Sequence, residues 1–309
     1  MKFLKPKFWD KCGLTFQSII LYPFTFIIDI KEFFDALKQS KKYPEIKTIC
    51  VGNIYLGGTG KTPLVAFIAN KLNKKFKTTI IKKKYLDHLD EKILLEKKNN
   101  VFFKKDRLVS LLEAIKKKFE LAIFDDGLQD KKIQYDLKIV CFNSLSLAGN
   151  QLRLPAGPLR ERLESLKKYD AIFILGEKKS TKFLTKVRKI KPNIPIFSGE
   201  YIPTNFQKFK KKNHLIFSGI GNPDSFAKTL DKYNIRYGSN LIYPDHYNYT
   251  DKDMKRIKKL AKIKNLQILT TEKDYNRVPS KYKNNIYYLK VDLKIKKLKA
   301  FNKFIAKYL

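Results

Sequence analysis

The stretch TICVGNIYLGGTGKTPLVAFIA, from Thr48 to Ala69, decides the fold. A β-branched run at its start predicts a buried strand, and the segment after Lys61 predicts a helix. Strand, glycine-rich turn, Lys-Thr pair and helix follow one another in the order of a phosphate-binding loop. Glycines let backbone N–H groups turn inward onto a polyphosphate, and the helix N-terminus adds partial positive charge. The sequence therefore predicts a nucleotide site, with Lys61 on the outer phosphates and Thr62 on Mg²⁺.

The loop departs from the usual G-x-x-x-x-G-K-[ST] pattern at its first position, where Tyr55 stands in place of glycine. Gly57 and Gly58 supply the flexibility instead. A glycine-rich turn that binds nothing is the alternative, but the Lys-Thr pair and the flanking elements favour a nucleotide site. The predicted nucleotide-binding residues are Tyr55, Leu56, Gly57, Gly58, Thr59, Gly60, Lys61 and Thr62.

Two aspartates follow an apolar strand candidate in the stretch LAIFDDGLQD, from Leu121 to Asp130. In phosphate-loop enzymes, an acid at the end of a neighbouring strand holds Mg²⁺ directly or through water. One such residue could equally cap a turn, whereas two together favour a catalytic and metal-binding role. The sequence predicts a Mg²⁺ site of Thr62 and Asp125 with Asp126 beside it, and it leaves open which aspartate contacts the ion directly.

Strand candidates separated by helical runs surround these motifs. They are Thr78–Ile81, Leu121–Phe124, Leu137–Phe142 and Ala171–Leu175. Such alternation predicts an α/β fold, with a parallel sheet covered by helices. Prolines and a glycine between Asn193 and Pro203 indicate a domain junction, and the segments HLIFSGIGNPDSF, LQILTTEKD and NIYYLKVDL beyond it predict further strands. We therefore predict an α/β core domain over residues 41–200 and a second, smaller α/β domain over residues 201–309.

The chain carries 66 Lys and Arg residues against 29 Asp and Glu, which gives a net charge of +37. This excess favours an anionic surface or an anionic substrate. A lysine bias spread along the whole chain is also what an AT-rich genome would give, and the sequence has no nucleic-acid-binding motif, so we predict no nucleic-acid partner. The three scattered cysteines show no metal-ligand spacing and indicate a reducing compartment.

Arginine is rare in this chain, because only 8 of the 66 basic residues are Arg. Arg153, Arg160 and Arg162 nevertheless fall close together. A guanidinium makes the bidentate phosphate contacts that a lysine ammonium cannot make. The cluster predicts that Arg153 and Arg160 contact a phosphorylated substrate, with structural ion pairs as the alternative.

Residues 13–28, GLTFQSIILYPFTFII, form an uncharged run near the N-terminus. The run is shorter than the roughly 20 apolar residues that span a bilayer, and Pro23 and the lack of a cleavage site argue against a signal peptide. As a helix it would have an apolar side of Phe16, Ile19, Ile20, Phe24, Ile27 and Ile28, and a polar side of Ser18, Tyr22, Thr25 and Asp29. Lys2, Lys5, Lys7 and Lys11 precede it. We predict a membrane-interface helix within residues 1–40, the alternative being a helix packed on the protein's own core.

Taken together, eight pieces of the chain resemble one family, the tetraacyldisaccharide 4'-kinases of Gram-negative bacteria. The pieces are, in chain order, VGNIYLGGTGKTP, LDEKILL, KKDR, FDDGLQD, LRLPAGPLRE, FSGIGNP, YPDHYNYTDKD and TTEKD. The missing first glycine of the loop is also part of that family's pattern. The resemblance covers most of the chain and implies a P-loop kinase-like parallel sheet domain that faces a smaller α/β domain.

The resemblance also implies a reaction, the transfer of the γ-phosphate of ATP to the 4'-hydroxyl of a tetraacyldisaccharide 1-phosphate in lipid A biosynthesis. By the same resemblance the enzyme is peripheral, at the cytoplasmic face of the inner membrane; we expect a monomer. Asp106 matches the aspartate proposed as the base, and His246 matches the histidine proposed to assist it. Asp125 and Asp126 match the acids that follow the strand.

The chain departs from the family pattern at KKKYLDH, where relatives carry an Arg-Gly-Tyr-Gly-Arg-like stretch. This difference, and the aspartate at position 130, leave the acceptor contacts near Lys82–Leu89 and Asp130 open. Two other classes have related loops. A membrane-associated P-loop switch ATPase would carry a lysine where this chain has Leu56, and a GTPase would separate Lys273 from Asp274 by one residue.

Overall fold

The computed structural model describes residues 6–11, 13–36, 39–84, 95–96, 99–176 and 180–309. Within them the chain forms two compact units. The smaller unit consists of Tyr201–Asp292, and the larger unit contains the other described residues, Leu293–Leu309 included. The division falls after Glu200. The C-terminal segment, however, belongs to the larger unit, and so do the N-terminal helices.

The elements are numbered along the chain. The strands are β1 Lys47–Gly52, β2 Thr78–Lys83, β3 Asn100–Lys104, β4 Leu121–Asp125, β5 Leu137–Asn143, β6 Ala171–Leu175, β7 Ile196–Pro203, β8 His214–Ser218, β9 Tyr237–Ile242, β10 Gln267–Thr271, β11 Ile286–Leu289 and β12 Val291–Ile295. The described α-helices are α1 Phe16–Leu21, α2 Thr25–Ala36, α3 Lys61–Leu72, α4 Arg107–Lys116, α5 Thr181–Ile190, α6 Pro223–Lys232, α7 Asp251–Ile263, α8 Glu272–Arg277 and α9 Leu298–Ala306.

The larger unit contains an eight-stranded sheet in the order β12-β7-β6-β5-β1-β4-β2-β3. The neighbours from β3 to β7 pair in parallel, as the alternation of strands and helices predicted. Apolar side chains fill both faces of the central strands, and Phe124, Phe142 and Phe173 are fully buried. Continuous apolar runs of this kind are expected where helices cover both faces of a parallel sheet.

The strand order places the carboxyl ends of β1 and β4 beside each other. Val51 near the end of β1 is in register with Asp125, the last residue of β4. On the other side of β4, Asp125 is in register with Lys82 of β2. The loops that follow parallel strands leave from one edge of the sheet, where open α/β sheets bind their ligands. The phosphate-binding loop and the paired aspartates therefore share this edge.

The smaller unit contains a four-stranded parallel sheet in the order β11-β10-β8-β9. Alternate side chains of β8 belong to two separate apolar clusters. Leu215 and Phe217 share one cluster with Ile257 of α7, and Ile216 shares the other with Leu230 of α6. The unit is thus an α/β sandwich with its own core. The segment NIYYLKVDL, treated as one region from sequence, contains two strands that lie in different sheets: β11 in the smaller sheet and β12 in the larger one.

The N-terminal run folds as two helices rather than one, because a 3-10 turn at Tyr22–Phe24 that contains Pro23 separates α1 from α2. Two polar side chains are buried, Ser18 fully and Thr25 nearly so, whereas Tyr22, predicted for the polar side, is 55% exposed. Apolar side chains are exposed, and they are Leu14, Phe16, Ile19, Ile20, Phe24, Phe26, Ile27, Ile30 and Phe34. This outward apolar face is the reverse of what a helix packed on a protein core presents.

Among the helices described, none is long and apolar enough to cross a bilayer. Of the lysines predicted to precede the N-terminal helix, Lys7 and Lys11 are exposed, and Lys2 and Lys5 lie outside the described residues. Tyr85–Leu89 of the divergent stretch also lies outside them. Cys50 and Cys141 are buried free thiols, and burial raises the pKa of both.

Candidate active site

The glycine-rich loop between β1 and α3 has a backbone conformation that favours glycine. Gly57 has φ +134° and Gly60 has φ +85°, and a Cβ at Gly60 would lie 2.7 Å from Leu175 Cδ2. The fully buried Asn53 holds the loop in shape, because its amide donates to the Gly57 carbonyl at 3.2 Å. The Asn53 Oδ1 also accepts from Lys61 Nζ at 3.0 Å. Asn53 therefore fixes the loop and its lysine together.

Asp126 is surrounded by three basic residues. Lys61 Nζ lies 3.1 Å from its Oδ1, and Arg160 Nη1 donates to both of its carboxylate oxygens at 3.1 Å. Its backbone, at φ +66°, presents a carbonyl that accepts a hydrogen bond from Arg107. Burial alone would raise the pKa of the Asp126 carboxyl, but Lys61 and Arg160 outweigh it and hold that pKa well below its usual range. Burial lowers the pKa of Lys61, with Asp126 opposing that shift.

Asp125 is fully buried at the end of β4. Its Oδ2 accepts from Thr62 Oγ1 at 2.9 Å and from the Lys82 ammonium, which is itself buried. Its Oδ1 has no hydrogen-bond partner among the described residues. The structure therefore brings together the threonine and the aspartate predicted for a metal site, and it adds a lysine that the sequence did not single out.

The donor set at Asp125 suits a hard cation. Mg²⁺ prefers carboxylate and hydroxyl oxygens, and it usually takes only one or two carboxylates from the protein while phosphates and water complete its shell. The partnerless Asp125 Oδ1 and the Thr62 hydroxyl match this preference. In the described part of the chain no three His, Cys, Asp or Glu residues form a cluster that could hold a metal.

Asp106 caps the N-terminus of α4 and is partly exposed. Its Oδ1 accepts from the Leu108 N–H at 2.8 Å, and its Oδ2 lies 2.6 Å from Lys132 Nζ. The hydrogen bond from Lys132 lowers the pKa of the Asp106 carboxyl, with the Leu108 N–H contributing in the same direction. The carboxyl is therefore ionised at neutral pH. The next residue, Arg107, contacts the Asp126 carbonyl, so α4 is tied to the cluster around Asp126.

The stretch LRLPAGPLRE, from Leu152 to Glu161, packs directly against the phosphate-binding loop. Leu159 forms a β-bridge with Tyr55, the Leu56 N–H donates to Pro158 at 2.8 Å, and the Arg160 N–H donates to Ile54 at 2.7 Å. Tyr55 is buried, and its hydroxyl donates to Asp10 at 2.8 Å. Tyr55 and Leu56, predicted among the nucleotide-binding residues, thus hold the loop against this stretch, and the backbone pairing brings Arg160 to Asp126.

The arginine cluster divides into two groups. Arg160 lies on Asp126, whereas Arg153 is buried and pairs with the acids of α2, with Asp29 and, at 3.0 Å, with Glu32. Arg162 also reaches Asp29, at 2.9 Å. The ion pairs that the sequence offered as an alternative are therefore present at Arg153 and Arg162. They connect the N-terminal helices to the stretch that holds the phosphate-binding loop.

His246 belongs to the smaller unit. Its backbone has φ +55°, and its N–H donates to the Gly219 carbonyl at 3.1 Å. The buried Asp274 accepts from the Gly219 N–H at 2.9 Å and from the Tyr249 hydroxyl at 2.8 Å, and Arg277 donates to the Gly219 carbonyl at 2.9 Å. The motifs FSGIGNP, YPDHYNYTDKD and TTEKD therefore converge within this unit. Asp274 and Arg277 hold the loop that carries His246.

Several residues of these networks escaped the sequence analysis. Asn53, Lys82, Arg107 and Gln129 lie within stretches quoted above, but no role was assigned to them there. Gln129 joins the Asn53 carbonyl to Glu161, at 3.0 Å and 2.6 Å. Arg107 alone had a signal, because it is one of the few arginines and stands next to Asp106. The others acquire their roles from strand register and loop packing.

Comparison with known proteins gives one consistent result. A family model described as Tetraacyldisaccharide-1-P 4'-kinase matches residues 18–309. The tetraacyldisaccharide 4'-kinase of Pelagibacter ubique (strain HTCC1062) is 47% identical over 300 residues, which cover 96% of this chain and 95% of that protein. The enzyme of the same name from Rickettsia akari (strain Hartford) is 34% identical over 336 residues, 99% of this chain and 98% of that protein.

A solved structure has a similar fold. LpxK from Aquifex aeolicus, crystallised in complex with ATP, matches with a TM-score of 0.70 and 24% identity, covering 95% of this chain and 99% of that one. The family match decides against the switch ATPase and the GTPase as alternatives, because it extends through the second α/β unit. The chain therefore belongs to the tetraacyldisaccharide 4'-kinase family and is an ATP-dependent phosphotransferase of lipid A biosynthesis.

Proposed function

We propose that the larger unit binds ATP with Mg²⁺ at the edge formed by β1 and β4, and that the γ-phosphate passes to the 4'-hydroxyl of a tetraacyldisaccharide 1-phosphate at a membrane surface. The observation that carries this proposal is the convergence of Lys61, Thr62, Asp125 and Asp126 at one sheet edge. Phosphoryl transfer requires positioning and charge neutralisation more than covalent participation by the protein. These four side chains supply both.

Lys61 has the role of holding the outer phosphates. Its ammonium already contacts Asn53 and Asp126, at 3.0 Å and 3.1 Å. Little free energy is therefore needed to order the side chain when a phosphate binds. The glycine-rich loop, residues 55–60, offers its N–H groups to the same phosphates. The lysine would then contribute a preorganised positive charge where negative charge must be stabilised.

Thr62 and Asp125 are the residues that would hold Mg²⁺, because their oxygens are adjacent and Asp125 Oδ1 has no partner among the described residues. A bound Mg²⁺ would neutralise charge on the transferring phosphoryl group. Asp126 has a different role in this proposal. As an ionised group between Lys61 and Arg160, it keeps both cations aligned toward the nucleotide edge.

The proton of the acceptor hydroxyl needs a base. Asp106 is proposed for this role, since its carboxyl is ionised at neutral pH and partly exposed. Lys132 would stabilise that carboxylate until the hydroxyl arrives. His246, on the fixed loop of the smaller unit, is proposed to orient or share the proton. The family resemblance motivates both assignments.

Arg160 is proposed to contact the acceptor or its phosphate, because its guanidinium is partly exposed while it contacts Asp126. Arg153 was predicted for the same contact. Its burial and its pairing with Asp29 and Glu32 support a positioning role instead, in which it holds the loop segment against α2.

The N-terminal helices are proposed to lie in the interface of an anionic membrane, within a segment of residues 1–40. Their exposed apolar face supports this, as do the two buried polar side chains and the exposed Lys7 and Lys11. Burial of these apolar side chains at the headgroup boundary stabilises the membrane-bound state. An acceptor that stays in the bilayer requires an enzyme at the membrane surface. We propose that this surface is the cytoplasmic face of the inner membrane and that the enzyme acts there as a monomer.

The decisive experiment measures transfer of labelled γ-phosphate from ATP to a tetraacyldisaccharide 1-phosphate in mixed micelles. We expect transfer that depends on Mg²⁺ and on the acceptor, and a loss of about 10²–10³-fold for Lys61→Ala. Lys74→Ala, an exposed lysine of the same unit, is the matched control. Equal rates for Lys61→Ala and Lys74→Ala would refute the proposed nucleotide site.

A further inference from the structure

Lys82 is an unusual lysine in this chain. Lysines are rarely buried unless they are paired, and Lys82, only 4% exposed, is the one buried lysine in the part of the chain that the structure describes. It stands at the start of KKKYLDH, the stretch in which the chain departs from the family pattern. Its neighbour Lys84 is exposed.

The partner of Lys82 is the aspartate of the proposed metal site. Lys82 of β2 is in register with Asp125 of β4, and its ammonium contacts the same Oδ2 that accepts from Thr62. Neither carboxylate oxygen reaches solvent, because Asp125 is fully buried. A buried carboxylate without a counter-ion is costly, so the ammonium compensates the charge of Asp125 in the protein alone.

A metal ion on Asp125 would encounter that compensating charge. Both cations need the carboxylate, and both would lie beside Thr62. We propose that Lys82 is a positioning residue of this site: its ammonium is the counter-ion of Asp125 before a metal ion binds, and it competes with that ion for the same carboxylate. The inference rests on the proposed function, since it takes Asp125 as the Mg²⁺ ligand.

The first test is thermal unfolding in EDTA, which needs neither nucleotide nor acceptor. Lys82→Met keeps the length of the side chain and removes its charge, and Lys84→Met is the matched control. We expect the melting temperature of Lys82→Met to fall by about 5 °C or more and that of Lys84→Met to change little. The double variant Lys82→Met/Asp125→Asn removes both charges and should melt above Lys82→Met.

The second test measures competition by calorimetric titration of ADP at increasing MgCl₂. Mg²⁺ is expected to increase the affinity for ADP. The Mg²⁺ concentration that gives half of this increase should be about tenfold lower for Lys82→Met than for the wild-type protein. Lys84→Met should match the wild type. If the wild type and Lys82→Met need the same Mg²⁺ concentration, the proposed competition is refuted.

If Lys82→Met fails to fold, the double variant Lys82→Met/Asp125→Asn still tests the charge pair. A folded double variant would then support the charge pair, and a double variant no more stable than Lys82→Met would overturn it. Phosphate transfer by the wild type is scored separately. If the wild type transfers no phosphate, the proposed function is contradicted, but the melting temperatures in EDTA still test the Lys82–Asp125 pair. If transfer is normal and the wild type and Lys82→Met require the same Mg²⁺ concentration, only the role of Lys82 is contradicted.

Discussion

The guanidinium of Arg160 donates from one nitrogen, Nη1, to both carboxylate oxygens of Asp126, at 3.1 Å each. The backbone of the same residue is hydrogen-bonded to Ile54 at the start of the phosphate-binding loop. One residue thus joins the acidic end of β4 to the loop that follows β1. Lys61 also contacts Asp126, with its Nζ 3.1 Å from Oδ1.

Arg160→Lys tests whether this arrangement needs the planar guanidinium. The substitution keeps the charge, but an ammonium cannot contact Asp126 and a phosphate through separate nitrogens. We expect kcat/KM for the acceptor to fall about tenfold or more, with the melting temperature little changed. Arg256→Lys, at an exposed position of the smaller unit, is the control. Unchanged kcat and KM would make Arg160 a structural residue.

Asp126 gives a pH prediction with a definite sign. Its pKa is well below the usual range in the folded protein, so its contribution to stability is present above the unfolded value, near 3.9, and is lost as pH falls through the folded pKa. We expect Asp126→Asn to lower the free energy of unfolding by about 1.5–3 kcal/mol at pH 7. Its loss of stability between pH 6 and pH 3 should be shallower than that of the wild type. Asp292→Asn, at an exposed position, should follow the wild-type profile.

The sequence could predict the central site because its parts are local. Lys61 and Thr62 follow β1 directly, and Asp125 ends an apolar strand; parallel strands then bring their carboxyl ends to one edge. Lys82 could not be found in this way. It looks like one of three consecutive lysines, and its burial follows from the register between β2 and β4, which no local pattern specifies. Asn53 likewise acquires its role from loop packing.

The limits of local pattern also appear at the two ends of the chain. Pro23 lies within a 3-10 turn, so the apolar run forms two helices rather than one. The sequence left open whether the apolar side faces a membrane or the protein's own core, so the outward apolar face was only one of two alternatives. Near the C-terminus, the strand pattern of NIYYLKVDL does not reveal that β11 and β12 belong to different sheets. Sheet membership depends on long-range pairing and is not encoded in alternation along one segment.

The membrane proposal predicts the effect of two substitutions on the exposed apolar face. Ile19 and Ile27 are 55% and 65% exposed, so Ile19→Asp/Ile27→Asp should fold normally and lose apolar contact with the bilayer interface. We expect binding to anionic lipid vesicles to weaken at least about tenfold in a sedimentation assay. Ile263→Asp, at a position 70% exposed on α7, is the control. Aggregation of the double variant, seen by light scattering, would instead assign the helices to a protein core.

The final prediction concerns Asp106 and His246, which lie in different compact units. If both serve one proton transfer, removal of either breaks the same step, and groups that act as a unit are not additive. We expect Asp106→Ala and His246→Ala each to lower kcat by about 10²–10⁴-fold with little change in ATP affinity. The Asp106→Ala/His246→Ala variant should be only slightly slower than the poorer single variant.

The cycle needs kcat/KM for all four proteins in the same detergent, and a control that separates catalysis from folding. Asp106 also caps α4 through the Leu108 N–H, so Asp106→Asn, which keeps an acceptor oxygen for the cap, should retain the melting temperature while losing the activity. If the two losses multiply in the double variant, the residues act independently. His246, held by its backbone on Gly219, would then position the acceptor, and Asp106 would remain the single base.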